Sequence, residues 1–180
     1  MDELAQIERT TCACELCRAP CRTMPGSLAP GDLEAMAAHC GVRGDDALPW
    51  FLEHFAASEG AMVMRQGKLF RIPTIVPQQD ERGHCVFLRA DGMCAVHPVS
   101  PFGCSRHDMH MDRQEGDRRS KALLAAALND SRYRKHWLIL NAAGKVPRGG
   151  TLTARREAMQ RELDAVVATM QDQAEKERGK

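Results

Sequence analysis

Aromatic side chains are scarce: Phe, Trp and Tyr together make up 4% of 180 residues. So few rings cannot supply the stacking platforms that single-stranded nucleic acid needs. A dominant sign of charge is missing too. With 25 lysines and arginines against 24 acidic residues, no overall field draws the chain to nucleic acid or to an anionic membrane. Long apolar runs are absent, and Met1-Asp2-Glu3 is acidic where an export leader would be basic, which sets the expectation of a cytoplasmic protein. There is no glycine-rich phosphate loop, no His-Glu-x-x-His and no recognisable Ser/His/Asp order, so the common signatures of nucleotide, zinc-protease and serine-hydrolase chemistry are excluded.

What is present is cysteine, 8 in all. In a reducing compartment closely spaced thiols hold metal more often than they form disulfides. Seven of the eight fall in two groups. The first reads Cys12-Ala-Cys14-Glu-Leu-Cys17-Arg-Ala-Pro-Cys21, whose Cys-x-x-Cys lets two sulfurs reach one metal from a tight turn. The second is Cys85, Cys94 and Cys104, where Asp91-Gly92 turns the chain back and Pro98 and Pro101 stiffen its exit. The residues around these cysteines are polar, proline-rich or turn-forming, which argues against simple core packing. Cys40 differs, because it shares a helical stripe with Leu33, Met36 and Ala37 and reads as packing.

The candidate ligands are therefore Cys14, Cys17, Cys21, Cys85, Cys94 and Cys104, expected to meet in space because neither group alone completes a four-sulfur shell. Cys12 is a seventh ligand, a replacement or a loose thiol. His107 and His110 follow Cys104 closely enough to enter the shell, with solvent exposure as the alternative. Arg18, Arg22 and Arg106 lie beside these cysteines and would favour thiolates.

The fold expected is mainly α with one or two small β-hairpins around an irregular cysteine-rich metal-binding core. Residues 1–26 read as loop. Helices are expected at 30–41 and about 47–58, hairpins at 62–76 and 85–96, and Cys104 in an extended segment or turn after Pro101. A helical stretch at 117–143, broken near Asn129-Asp130-Ser131, completes a metal-binding domain over 1–145. Beyond it, Gly149-Gly150 makes a flexible joint to a helical extension within 146–180, with Met159, Leu163, Val166, Val167 and Met170 on one face to meet the body, a partner or a second copy.

The run Cys85-Val-Phe-Leu-Arg-Ala-Asp-Gly92-Met-Cys94-Ala-Val-His97-Pro-Val-Ser100-Pro101-Phe-Gly-Cys104 resembles the second cysteine block of the YkgJ family of cysteine-cluster proteins, described as zinc- or iron-chelating domains. Cys14, Cys17 and Cys21 align with the first, second and fourth cysteines of that family's first block, Pro20 standing where the third would be. His97 takes the usual tyrosine position and Ser100 the usual arginine position. The resemblance covers about residues 12–110 and implies metal binding through these cysteines. Six thiolates exceed the four that one zinc or one four-iron cluster takes, while two zinc ions sharing bridging sulfurs would use all six. An iron-sulfur cluster or zinc thus remains open. So does the choice between a non-catalytic binding, metal-handling or electron-transfer module and a metal-dependent enzyme with an open coordination position.

Overall fold

The computed structural model describes residues 3–10, 12, 14–58, 62–65 and 68–178, with the backbone alone for 62–65 and 68–71. It is mainly helical, with antiparallel two-stranded pairing as its only regular β-structure among the described residues. The region expected as loop contains a 3-10 turn at Glu3–Gln6 and two one-turn helices, α1 (Glu15–Arg18) and α2 (Pro20–Thr23). Pro20 supports α2 rather than preventing it, since a first-turn proline gives up an amide that would have no helical partner.

Helix α3 (Asp32–His39) begins where Asp32 turns its carboxylate back onto the Ala29 and Phe102 amides, both at 2.7 Å. It ends before Gly41, whose φ of 70° suits glycine. Cys40 is not packed: it caps α3 and is exposed, because the turn toward Gly41 rotates it off the stripe that buries Met36. Helix α4 (Ala47–His54) stops earlier than its hydrophobic spacing suggests, since Phe55 is already extended.

Strand β1 (Phe55–Ser58) pairs with β4 (Thr74–Pro77), and β2 (Met62–Arg65) with β3 (Lys68–Arg71). The expected hairpin at 62–76 corresponds to the β2–β3 pair, with β4 pairing to β1 instead; its Gln66-Gly67 turn lies outside the described residues. Every residue of β1 and β4 is buried, and their outer edges are closed by other chain segments. Leu28 N–H donates to Ile75 C=O, Ile75 N–H donates to the Tyr133 hydroxyl, and Ala57 N–H donates to Lys145 C=O. Covering the edges removes unpaired ladder groups that would otherwise pair with other chains.

Helix α5 (Phe102–Ser105), a single turn, carries Cys104 where an extended segment or turn was expected, because Pro101 occupies only the N-cap, where no amide is required. The hairpin expected at 85–96 is reduced to a minimal antiparallel pairing across the Asp91-Gly92 turn: Leu88 bridges Cys94, Arg89 N–H donates to Met93 C=O and Ala95 N–H donates to Phe87 C=O, with Gly92 at φ 76°. Helices α6 (Arg113–Asn129) and α7 (Ser131–Ala142) are separated as expected, because extended Asp130 caps α7 by accepting from the Tyr133 amide at 2.7 Å. Helix α8 (Leu152–Arg178) packs on α1 and α2, tied by Arg22–Glu162 at 2.9 Å, and buries Arg155 and Leu163. Gly149 is not a loose joint: its amide donates to the Gln79 side chain, and a Cβ there would lie 2.8 Å from that oxygen.

The core gathers Leu28, Met36, Phe51, Phe55, Ile75, Phe87, Val96, Tyr133 and Leu140. Each such large side chain contributes about 1.5–3 kcal/mol on burial. Cys85 belongs to the same cluster, so the second cysteine group is anchored directly on the core.

Candidate metal centre

The two cysteine segments come together through the backbone. The Cys85 amide donates to the Cys21 carbonyl at 2.9 Å, joining α2 to the turns that follow β4. On the other side, Gly103 N–H donates to Ser27 C=O and Gly26 N–H donates to the Cys104 sulfur at 3.2 Å. The approach is so close that a Cβ on Gly26 would lie 2.3 Å from the Gly103 carbonyl carbon. Glycine is required at this contact, a demand that no motif in the sequence signals.

The candidate ligands divide into two environments. Cys12, Cys14 and Cys17 join His110, one donor atom from each lying within 4.8 Å of all the others. Cys14 Sγ is 3.3 Å from His110 Nε2, and the His110 loop is set by its own amide donating to Asp108 Oδ1 at 2.9 Å. This group is near solvent, with Cys12, Cys14 and His110 exposed and Cys17 half-buried. The Cys17 backbone amide, then the His110 imidazole, bring the Cys14 thiol down to about 6, while desolvation first and then the neighbouring sulfurs push Cys17 up to about 12. The same contact with Cys14 raises His110. Among the described residues, this is the group whose donors are close enough to share one ion.

Cys21, Cys85, Cys94 and Cys104 form the other environment. With Cys12 and Cys17 they line a cavity of about 70 Å³ whose wall also includes Phe87, Val96 and Pro101. Burial raises all four thiols, Cys85 to about 12 and Cys104 well above the ordinary range. Arg22 and Arg18 act in the opposite direction on Cys21. Arg106 instead lies with Asp32, Arg9 and Arg119. His107 stays apart from the sulfurs: its Nε2 lies 3.3 Å from both Gly116 C=O and Ser120 Oγ, and burial lowers its pKa. Ser100 is buried and meets the guanidinium of Arg9 at 3.1 Å.

Chemically, three thiols and an imidazole at this spacing suit a borderline-soft ion such as zinc. The residues present fit that ion, since tetrahedral Zn–S bonds of about 2.3 Å place sulfurs roughly 3.8 Å apart, within a small adjustment of the observed group. The sequence identified Cys14 and Cys17 but assigned them to the same site as Cys21. It left Cys12 and His110 undecided, because the 92 residues between Cys17 and His110 conceal their proximity. No helix among the described residues is long and apolar enough to cross a membrane. Comparisons with protein-family models, curated proteins and solved structures give no match to this chain.

Proposed function

We propose that the protein is a non-catalytic metal-binding module in which Cys12, Cys14, Cys17 and His110 enclose one zinc ion. The observation that carries this reading is the convergence of four donor atoms within 4.8 Å from two segments far apart in sequence. Four protein donors fill a tetrahedral shell and leave no open position for substrate, which favours a binding or metal-handling role over an enzyme. Of the ligands that the YkgJ resemblance implies, this reading keeps Cys14 and Cys17, and it adds Cys12 and His110. A protein partner or second copy would meet α8 beyond Leu163, where Val167 and Met170 are exposed.

The test is zinc content after purification without added metal, in the native chain and in His110→Ala. About one tightly held zinc per chain, weakened at least 10-fold in affinity by His110→Ala, is expected. Unchanged zinc affinity in that variant contradicts the assignment.

A further inference from the structure

Helix α8 is 27 residues long, yet only Arg155 and Leu163 of it are buried. The reason lies in its first two turns. Leu152, Arg155, Arg156 and Met159 recur at i, i+3, i+4 and i+7 and so share one helical face. That face borders a cavity of about 300 Å³ instead of closing on the body. Across the cavity stand Met24 at the end of α2, Val76 of β4, and Leu123 and Leu124 of α6, an apolar wall. One turn further along α8, Leu163 is buried again.

Close packing leaves few voids larger than a water molecule, and this one reaches the lower end of the size range of small-molecule pockets. Its polar groups carry one sign of charge. Arg156 is exposed at the cavity, and its side chain makes no hydrogen bond or ion pair among the described residues. Arg155 is 3% exposed and donates to Ser58 Oγ at 2.7 Å, which fixes a second guanidinium on the wall. The positive end of the α8 dipole lies at the same place. No carboxylate lines the cavity among the described residues; Ser58, Thr74 and Ser120 contribute hydroxyls.

We propose that this cavity binds a short-chain organic acid, its carboxylate at Arg156 beside the first turn of α8 and its hydrocarbon chain among Met24, Val76, Leu123, Leu124 and Met159. Each half of the wall selects against a simpler ligand. A small inorganic anion gains nothing from the apolar side chains, and a neutral hydrocarbon leaves the guanidinium without a partner. Methionine suits the chain end, because an unbranched thioether adapts to a flexible guest. Since α8 supplies one wall and the body the other, bound ligand holds the helix in place. No cysteine lines the cavity among the described residues, and the inference does not depend on zinc.

The full chain, isotope-labelled at its methionine methyls, is titrated with octanoate and followed by NMR, with octanol and acetate as controls that each lack one half of the ligand. Octanoate should shift the Met24 and Met159 methyls saturably while Met36 in the core and exposed Met170 stay unmoved. Octanol and acetate should each bind about 5-fold more weakly or worse. Arg156→Gln, at an exposed position, should weaken octanoate by about 5-fold and leave octanol unaffected. Equal affinity for octanol and octanoate, or native octanoate affinity in Arg156→Gln, overturns the anion site. Shifts at Met170 equal to those at Met24 mean surface adsorption only and overturn the cavity, as does the absence of any saturable shift.

Discussion

Cys14 and Cys104 carry the same thiol in the two different cysteine environments, and their surroundings shift it in opposite directions. Cys14 is exposed, and the Cys17 amide and His110 hold it down at about 6. Cys104 is desolvated and pressed further upward by Cys21, Cys85 and Cys94. A lowered thiol is more readily the thiolate that binds an ion, whereas raised thiols would have to release protons on binding one. Cysteine spacing identifies ligands; environment decides when they become thiolates.

The largest effect on this contrast is expected from Gly26→Ala. A Cβ would meet the Gly103 carbonyl carbon at 2.3 Å and the Cys104 amide nitrogen at 2.4 Å, both backbone atoms that cannot rotate away. Relief requires moving α5, so the buried set should lose its geometry and the fold about 1–3 kcal/mol or more. Thermal denaturation and metal analysis check this, and a native melting temperature would contradict it.

Next comes a change to the scaffold alone. The Tyr133 hydroxyl donates to Leu28 C=O at 2.9 Å and accepts from Ile75 N–H at 2.8 Å, both buried. Tyr133→Phe should cost about 1–3 kcal/mol in urea unfolding, because both backbone groups lose their partner. Metal stoichiometry should remain unchanged.

These two sites also show what could be read from the sequence. The division between α6 and α7 was legible because Asn129-Asp130-Ser131 carries its own capping chemistry. The mainly helical class followed from hydrophobic spacing in the same way. Long-range contacts left no such mark. Leu28 and Tyr133 close β4 across more than a hundred residues, and Gly26 meets Gly103 because both lack side chains. The hairpin expected at 85–96 shrinks to the pairing around the Leu88–Cys94 bridge because turns flank it, with Leu88 N–H bonded to Cys85 C=O and Val99 N–H to Val96 C=O. Cys40 was misplaced by one helical position, where the α3 cap begins.

A smaller effect concerns protonation in the metal-free protein. Thiolate absorbance should rise through pH of about 6 and disappear from that range in Cys14→Ser. Since the folded value lies below the ordinary 9.0, this group's contribution to stability is complete above about pH 9 and is lost as pH falls through about 6. A titration with no thiolate below pH 8 would remove the contrast between the groups. The smallest change is expected from Cys40→Ser: exposed and outside both sets, it should shift stability by no more than about 0.5 kcal/mol and leave metal content intact.

The most direct measurement is X-ray absorption at the zinc edge of the anaerobically purified chain. The proposed centre predicts three sulfurs at about 2.3 Å and one nitrogen at about 2.0 Å around zinc. A shell of four sulfurs would place zinc among Cys21, Cys85, Cys94 and Cys104 and contradict the assignment to Cys12, Cys14, Cys17 and His110.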